Sequence, residues 1–477
     1  MLFYNTNDKN ERVTFREALL RGQAPNYGLY TIDRKLIPQI PMRQLLNMAE
    51  KPYWQIAHEV LLPYLGEEIT ANDLLGMVKD AYDEKAIPVT LENVVGKTYV
   101  LKLYGGPTSS FKDFAARFFA HALNYFAGKY GLKFIVVVAT SGDTGPAIAD
   151  AFWGLENVVV VVLYPGKNIY PNQRKQISTL HKNVFAVEVE SADFNLCQDM
   201  AIRLMNDKKF AKEVFANENV FTSANSISLG RLLPQIVFPF YAYSRLPNID
   251  SDIVVCVPSG NFGDVTGTFI AKKMGLPIKK IVVAVNENDE FVRFLKAGRY
   301  EIRATRQTPS SAMDVNNPNN LPRLFDLYGG QMINLPEKKG WIKKMPDLNR
   351  LRIDATAYSV NNQQTMEAIK TVLKKHEILL DPHGAVGWHA LQTYLGRKNN
   401  RPAVFWQTAD PSKFQDVIEQ ATGLRPPLTY GMAKQADLPE RIFKINQPAK
   451  LTPGGGMAHS DGQYQELLKI VAGNIHF

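Results

Sequence analysis

The sequence predicts an α/β protein built on doubly wound open sheets, and three observations carry that prediction. Runs such as "FIVVVAT", "NVVVVVLYP" and "DIVVCVP" are nearly continuous in hydrophobicity, as strands covered on both faces of a parallel sheet are. Segments with helical spacing alternate with these runs, which favours βαβ units over hairpins. Two of the strand-to-helix junctions also carry Ser-Gly-X-X-Gly turns, at the end of the sheet where such folds bind ligands.

In chain order, residues 1–95 mix polar and apolar positions at helical spacing, with turn signals at "RGQAPNYGLY" and "KAIPVT", and read as an N-terminal lead-in domain. Residues 96–423 form the α/β region, as two subdomains with the site between them. The first set of elements is strand "TYVLKLY", a helix from Phe111, "KFIVVVAT", helix "PAIADAFWG", "NVVVVVLYP", a helix from Pro171, "VFAVEVE" and helix "FNLCQDMAIRLM". A second set starts at "DIVVCVP", passes through helix "DVTGTFIAKKMG" and strand "KKIVVAV", and resumes near "HEILLDP" and "RPAVFWQTAD". Between 299 and 350 a Pro/Asn/Arg-rich stretch reads as loops and short helices over the site. Residues 424–477 read as a C-terminal extension, with little periodicity from about 424 to 461 and flexible around Gly454 to Gly456.

Composition narrows the function classes. With 477 residues, 45% hydrophobic and 21% charged, the chain suits a soluble protein of two or three domains and excludes large-scale disorder. The net charge of +9 would help attract phosphorylated small molecules. The basic residues fall in scattered pairs such as Lys272-Lys273, Lys279-Lys280 and Lys343-Lys344, without the stripe that marks a nucleic-acid binder. The apolar runs are too short to span a bilayer, and "MLFYNTNDKNER" lacks a signal-peptide core. Cys197 and Cys256 sit in a helical and a strand pattern and read as reduced packing residues of a cytoplasmic protein.

Chemistry is suggested first by "GGPTSSFKDFAARFF". Phe111, Phe114, Phe118 and Phe119 recur at helical spacing, which puts Lys112 in the first helical turn, where a cation is disfavoured. Two readings fit. Lys112 reaches solvent and pairs with a carboxylate such as Asp113, or its amine is held against apolar groups, with a lowered pKa, to form a Schiff base with an aldehyde cofactor. "ATSGDTGPAIADAF" and "VPSGNFGDVTGTF" are each a strand, a glycine turn and a helix, able to offer backbone N–H groups and a positive helix end to an anion. Neither matches the dinucleotide or P-loop codes. The first is also readable as a plain helix start, with Asp143 or Thr144 as N-cap and Pro146 in the first turn.

These motifs, in this order, resemble the threonine synthase family of fold-type II pyridoxal-phosphate enzymes, the tryptophan synthase β-like class. Further similarity lies in "RVTFREALLRGQAPNYGLY", "TSANSISLGRLLPQ", "AKKMGLPIKKIVVAVNEND", "SSAMDVNNPNN", "DPHGAVG" and "TADPSKFQDVI", covering roughly residues 1–423. The resemblance implies pyridoxal 5'-phosphate as cofactor and Lys112 as the catalytic residue that binds its aldehyde. Gly260, Asn261, Phe262 and Gly263 would wrap the cofactor phosphate, and Thr408 would meet the pyridine nitrogen. Ser141, Gly142, Asp143 and Thr144 would receive the substrate carboxylate. Asn225, Ser226 and Arg231 would face the substrate phosphate, although Arg231 reads equally as a structural ion-pair arginine. No metal is implied. The implied reaction converts O-phospho-L-homoserine and water to L-threonine and phosphate, in a cytoplasmic monomer or homodimer without nucleic-acid or membrane partners.

Three positions depart from the family pattern. Gly105 stands where His often precedes "GPT", Ser228 replaces an Asn, and Asp410 stands in "TADPSKF" where His is usual. An added negative charge at 410 would disfavour a dianionic substrate. Two alternatives therefore stay open: a phospho-lyase releasing 2-oxobutanoate, and a paralogue acting on another γ-substituted amino acid. A non-catalytic amino-acid-binding regulator is disfavoured, because it has no chemical need for Lys112. His383 matches the family's "DPH", and His121, on an apolar helix, reads as a packed residue.

Overall fold

The computed structural model describes residues 1–475 except 141, 168, 191, 193, 248–250, 336–337, 397–400 and 452–456. Ser141 and the flexible point expected at Gly454 to Gly456 thus lie outside the described residues. The chain divides into two compact units. One comprises Met1–Ala18, Gln23–Ala115 and Ser226–Pro427, the other Leu19–Gly22, Ala116–Asn225 and Leu428–Phe477.

The first unit is built on a six-stranded sheet in the order Ala355–Ser359, Ile278–Val285, Ile253–Pro258, Ala403–Gln407, Thr98–Lys102, Thr90–Val95. All neighbours are parallel except the last pair, which is antiparallel. Ile253–Pro258 and Ala403–Gln407 are buried along their whole length, which is why their sequences show no alternation. The N-terminal stretch adds a small antiparallel sheet of Phe3–Asn5, Arg12–Val13 and Tyr30–Ile32, strands too short to register as periodicity. Its helix Tyr53–Leu65 joins an aromatic cluster, with the Tyr53 ring 5.0 Å from Tyr82 and 5.1 Å from Phe114. Phe114 in turn meets Phe238 edge-on at 5.4 Å, so the Phe-rich face read from the sequence is a packing face.

The second unit carries a five-stranded, wholly parallel sheet in the order Ile442–Ile445, Val184–Val189, Val158–Pro165, Phe134–Ala139, Phe221–Ser223. Leu196, Cys197, Met200 and Leu204 of helix Phe194–Asn206 share one apolar cluster with Tyr464, Leu467 and Val471 of helix Asp461–Asn474. Both cysteines are buried. Among the described residues no helix is long and apolar enough to cross a membrane.

The structure corrects four element assignments. "TYVLKLY" precedes the first set of strands in the chain, yet Thr98–Lys102 pairs with Ala403–Gln407 in the other sheet. "HEILLDP" is not a strand; its apolar residues lie in the link between helices Asn362–His376 and Pro382–Leu395, and the sheet takes Ala355–Ser359 instead. Within 299–350, Gln331–Leu335 and Lys338–Lys344 form an antiparallel hairpin. The tail is folded, since Ile442–Ile445 is a sheet edge strand and Asp461–Asn474 a capped helix with a buried face.

Candidate active site

Lys112 is the first residue of helix Lys112–Tyr130. The turn before it is shaped by its neighbour Asp113, a buried carboxylate that accepts the Thr108 N–H at 3.0 Å and the Thr108 hydroxyl at 2.5 Å. A Cβ on Gly106 would lie 2.3 Å from that carboxylate, so the turn closes only around glycine there. The Lys112 ammonium lies 5.9 Å from the Phe111 ring centroid. Lys413, also buried, donates to the Thr108 carbonyl at 2.7 Å. Arg231 is buried, and burial pushes its pKa down to about 10 against the favourable charge of Asp113.

The turn at 260–263 joins strand Ile253–Pro258 to helix Gly263–Lys273. Phe262 holds the left-handed conformation at φ 61°, and its ring is seated edge-on against Phe291 at 4.9 Å, which offsets the strain. Among the described residues, no group accepts the backbone N–H of Gly260, Asn261, Phe262 or Gly263. A turn with a left-handed residue at a helix start and unsatisfied N–H groups suits a phosphate monoester. Asp264 follows, fully buried. Burial pushes its carboxyl up to about 7, opposed by the Val265 N–H and by the charge of Lys112.

Thr408 directly follows strand Ala403–Gln407 and is buried. Its carbonyl accepts the Phe111 N–H at 2.8 Å, Ala409 bridges Ser110, and the Asp410 N–H donates to the Ser109 carbonyl at 3.0 Å. This zipper brings Thr408 beside the residues that precede Lys112. Ser226 is tied in from another direction. Asn320 donates through Nδ2 to the carbonyls of Ser226 at 3.2 Å and Asn261 at 3.0 Å, and Asn319 donates to the Ser226 hydroxyl at 3.3 Å. Arg323, buried, donates to the carbonyls of Ser226, Ile227 and Tyr30 and to Asn320 Oδ1, and burial pushes its pKa down to about 9.

The first unit therefore gathers Lys112, residues 260–263, Thr408, Ser226 and Arg231. Gly142, Asp143, Thr144 and Asn225 belong to the second unit. There, Thr140 Oγ1 accepts the N–H groups of Gly142 at 3.1 Å and Gly145 at 3.0 Å, holding the loop at the start of helix Thr144–Phe152. Asp143 occupies the N-cap position without capping through its side chain; its Oδ1 accepts instead from Gln173 Nε2 at 2.8 Å. Asn225 pairs with both backbone groups of Ala139, at 2.9 and 3.3 Å, and so props the strand end that feeds this loop.

Two departures from the family pattern have local explanations. A Cβ at Gly105 would lie 2.4 Å from the Pro88 carbonyl oxygen, so this backbone has no room for a histidine. Asp410 caps the 3₁₀ turn Pro411–Phe414, its Oδ1 accepting the Ser412 N–H at 2.9 Å and hydroxyl at 2.5 Å. Sequence reasoning missed Asp113, Asp264, Asn319, Asn320, Arg323 and Lys413 as site residues. "SSAMDVNNPNN" was a visible signal for the two asparagines. Lys413 stands inside the quoted "TADPSKFQDVI", whereas nothing local marked Arg323, three of whose four acceptors lie far off in the chain.

Comparison with known proteins shows the family. A model of the threonine synthase N terminus matches residues 2–82, one of pyridoxal-phosphate-dependent enzymes matches 89–406, and one of the threonine synthase C-terminal region matches 384–452. Threonine synthase of Haemophilus influenzae is 37% identical over 440 residues, covering 92% of this chain and 95% of that protein. The crystal structure of threonine synthase from Escherichia coli matches with a TM-score of 0.83 at 33% identity, over 100% of both chains. The structure of a PLP-bound threonine synthase from Brucella melitensis matches at 0.84, with 32% identity over 93% of this chain and 96% of that one. Likeness of this depth over nearly the whole chain means that it belongs to the threonine synthase family of pyridoxal-phosphate enzymes.

Proposed function

We propose that this protein converts O-phospho-L-homoserine and water to L-threonine and phosphate, with Lys112 as the covalent cofactor anchor and base. The observation that carries the assignment of roles is the zipper between 408–410 and 109–111, together with the electrostatic coupling of Lys112 to Asp264 at the start of helix Gly263–Lys273. It gathers the lysine, the hydroxyl of Thr408 and the phosphate turn in one unit. When bound, pyridoxal phosphate supplies the electron sink that makes protons on carbons of the substrate removable.

The protein's share is position and charge. The N–H groups at 260–263 hold the cofactor phosphate. A threonine hydroxyl at the pyridine nitrogen leaves that nitrogen less firmly protonated than a carboxylate would. With the cofactor bound, the Lys112 amine would be the base that moves protons between carbons of the substrate. Ser226 and Arg231 would take the substrate phosphate; Asn225, whose side chain is spent on Ala139, would not. Asp410 keeps its negative charge while it caps the turn, so the products formed decide between the synthase and its two alternatives.

The test is to incubate the protein with O-phospho-L-homoserine and assay phosphate, threonine and 2-oxobutanoate separately. Threonine is expected in step with phosphate; phosphate with 2-oxobutanoate would overturn the reading in favour of a phospho-lyase. Lys112→Ala is expected to remove the visible cofactor absorption and lower turnover by at least roughly 10²–10⁴-fold.

A further inference from the structure

The "DPHGAVG" segment reaches the phosphate turn through one intermediary. Asp381 caps helix Pro382–Leu395, accepting the N–H groups of His383 and Gly384 at 3.0 and 3.1 Å. Its Oδ2 also meets His383 Nδ1 at 2.9 Å, and both side chains are buried, with His383 only 3% exposed. The other ring nitrogen, Nε2, accepts the backbone N–H of Ala312 at 3.3 Å. A backbone N–H can only donate, so Nε2 carries no proton and the proton sits on Nδ1, directed at Asp381. The ring lies edge-on to Phe414 at 5.1 Å, which fixes its plane.

Ala312 is what makes this matter. A Cβ on Gly260 would lie 2.6 Å from the Ala312 carbonyl oxygen and 3.0 Å from Met313 Cα, so the segment around Ala312 is pressed directly against the first residue of the turn. The same segment is anchored on both sides. Upstream and downstream of Ala312, Thr308 and Asp314 are joined at 2.7 and 3.0 Å, and Asn286 donates to Asp314 at 2.8 Å and to the Ser310 hydroxyl at 3.2 Å. Further on, the Asn319 and Asn320 N–H groups donate to the side chain and the carbonyl of Asn261 at 3.3 and 3.1 Å. Between those anchors, and among the described residues, His383 is the side chain that holds the Ala312 peptide.

We propose that His383, held in a single tautomer by Asp381, is a positioning residue for the cofactor phosphate. By retaining the Ala312 peptide it fixes the wall against which Gly260 packs, so that the N–H groups of 260–263 are set for a phosphate monoester before one arrives. The inference rests on the reading that this turn takes the phosphate of pyridoxal phosphate.

The test compares equilibrium binding of pyridoxal phosphate and of pyridoxal, which lacks the phosphate, by absorption titration of apoprotein. The parent is expected to prefer pyridoxal phosphate. In Asp381→Ala the imidazole loses the acceptor that fixes its tautomer, so the ring proton is free to move to Nε2, facing the Ala312 donor. That variant is expected to lose about tenfold in affinity for pyridoxal phosphate and to hold pyridoxal within about twofold of the parent. His383→Phe, which keeps a ring against Phe414 without an acceptor, is expected to show the same selective loss. His383→Gln, which retains an acceptor, should recover most of it. A parent that binds both ligands equally would overturn the reading of the turn itself. A parent that prefers the phosphate form, with both loss variants keeping that preference or losing both ligands alike, would overturn the positioning role alone.

Discussion

Asp264 sits one residue beyond a turn shaped for an anion, buried, with a lysine amine as its nearest named charge. Its folded pKa of about 7 lies above the ordinary carboxyl value. The folded protein therefore binds this proton more tightly than the unfolded chain does, and stability falls as pH rises between about 4 and 7. Asp264→Asn removes the penalty. In denaturant melts of apoprotein, the variant is expected to match the parent near pH 4 and exceed it above pH 7, by at most about 4 kcal/mol. A pH-independent difference would show that the carboxyl does not titrate in that range. For Arg231, the proposed role makes Arg231→Lys costly despite its retained charge, because the planar fork that fits a phosphate is lost. The KM for O-phospho-L-homoserine is expected to rise about tenfold with the cofactor absorption unchanged; an unaltered KM would leave Arg231 a structural residue. At this scale the sequence was readable where a residue was out of place, as with Lys112 at a helix start. It was silent where a residue was ordinary and its partner distant. Nothing near Arg323 announces Tyr30, Ser226 and Ile227 as its acceptors.

Glycines at element junctions show how little slack the packing leaves. In helix Thr144–Phe152, a Cβ at Gly145 would meet Thr140 Cγ2 at 2.4 Å and Ile177 Cδ1 at 2.9 Å. Gly145→Ala is expected to lower stability by about 1–3 kcal/mol in chemical denaturation, an overpacking cost; an unchanged midpoint would mean the loop shifts freely. Gly105→His, which restores the commoner family residue, faces the Pro88 carbonyl instead. It is expected to destabilise by a similar ~1–3 kcal/mol rather than to raise activity, as melts and turnover measured together would reveal. The elements themselves were legible in proportion to their length and burial. Val158–Pro165 is eight buried residues and unmistakable. Ala355–Ser359 mixes Ala, Thr, Tyr and Ser with only two positions buried, and lost out in the reading to the more apolar "HEILLDP". The partner of Thr98–Lys102 was hidden because sheet neighbours need not be sequence neighbours.

For the chain as a whole, the tail was the largest surprise, because low periodicity concealed a short edge strand and one well-capped helix. Ser460 and Gln463 form a reciprocal capping box, and Tyr464, Leu467 and Val471 are at most 2% exposed. Each such side chain is worth roughly 1.5–3 kcal/mol when buried. Truncation after Pro427 would uncover this cluster and leave Val184–Val189 as an open edge, so the shortened protein is expected to aggregate or to lose cooperative unfolding. A soluble truncated protein with an unchanged melt would show the tail to be dispensable.

The order of strands has a consequence for how the chain comes off the ribosome. The six-stranded sheet places Ala403–Gln407 between Thr98–Lys102 and Ile253–Pro258, and the five-stranded sheet receives Ile442–Ile445 last of all. Neither sheet can close while the final sixth of the protein is still being made. Val/Ile-rich strands synthesised early must therefore wait, with their faces and edges uncovered, for partners hundreds of residues downstream. Such a nascent chain is a natural client for chaperones, and its refolding yield from denaturant should fall steeply with protein concentration while the finished fold remains stable.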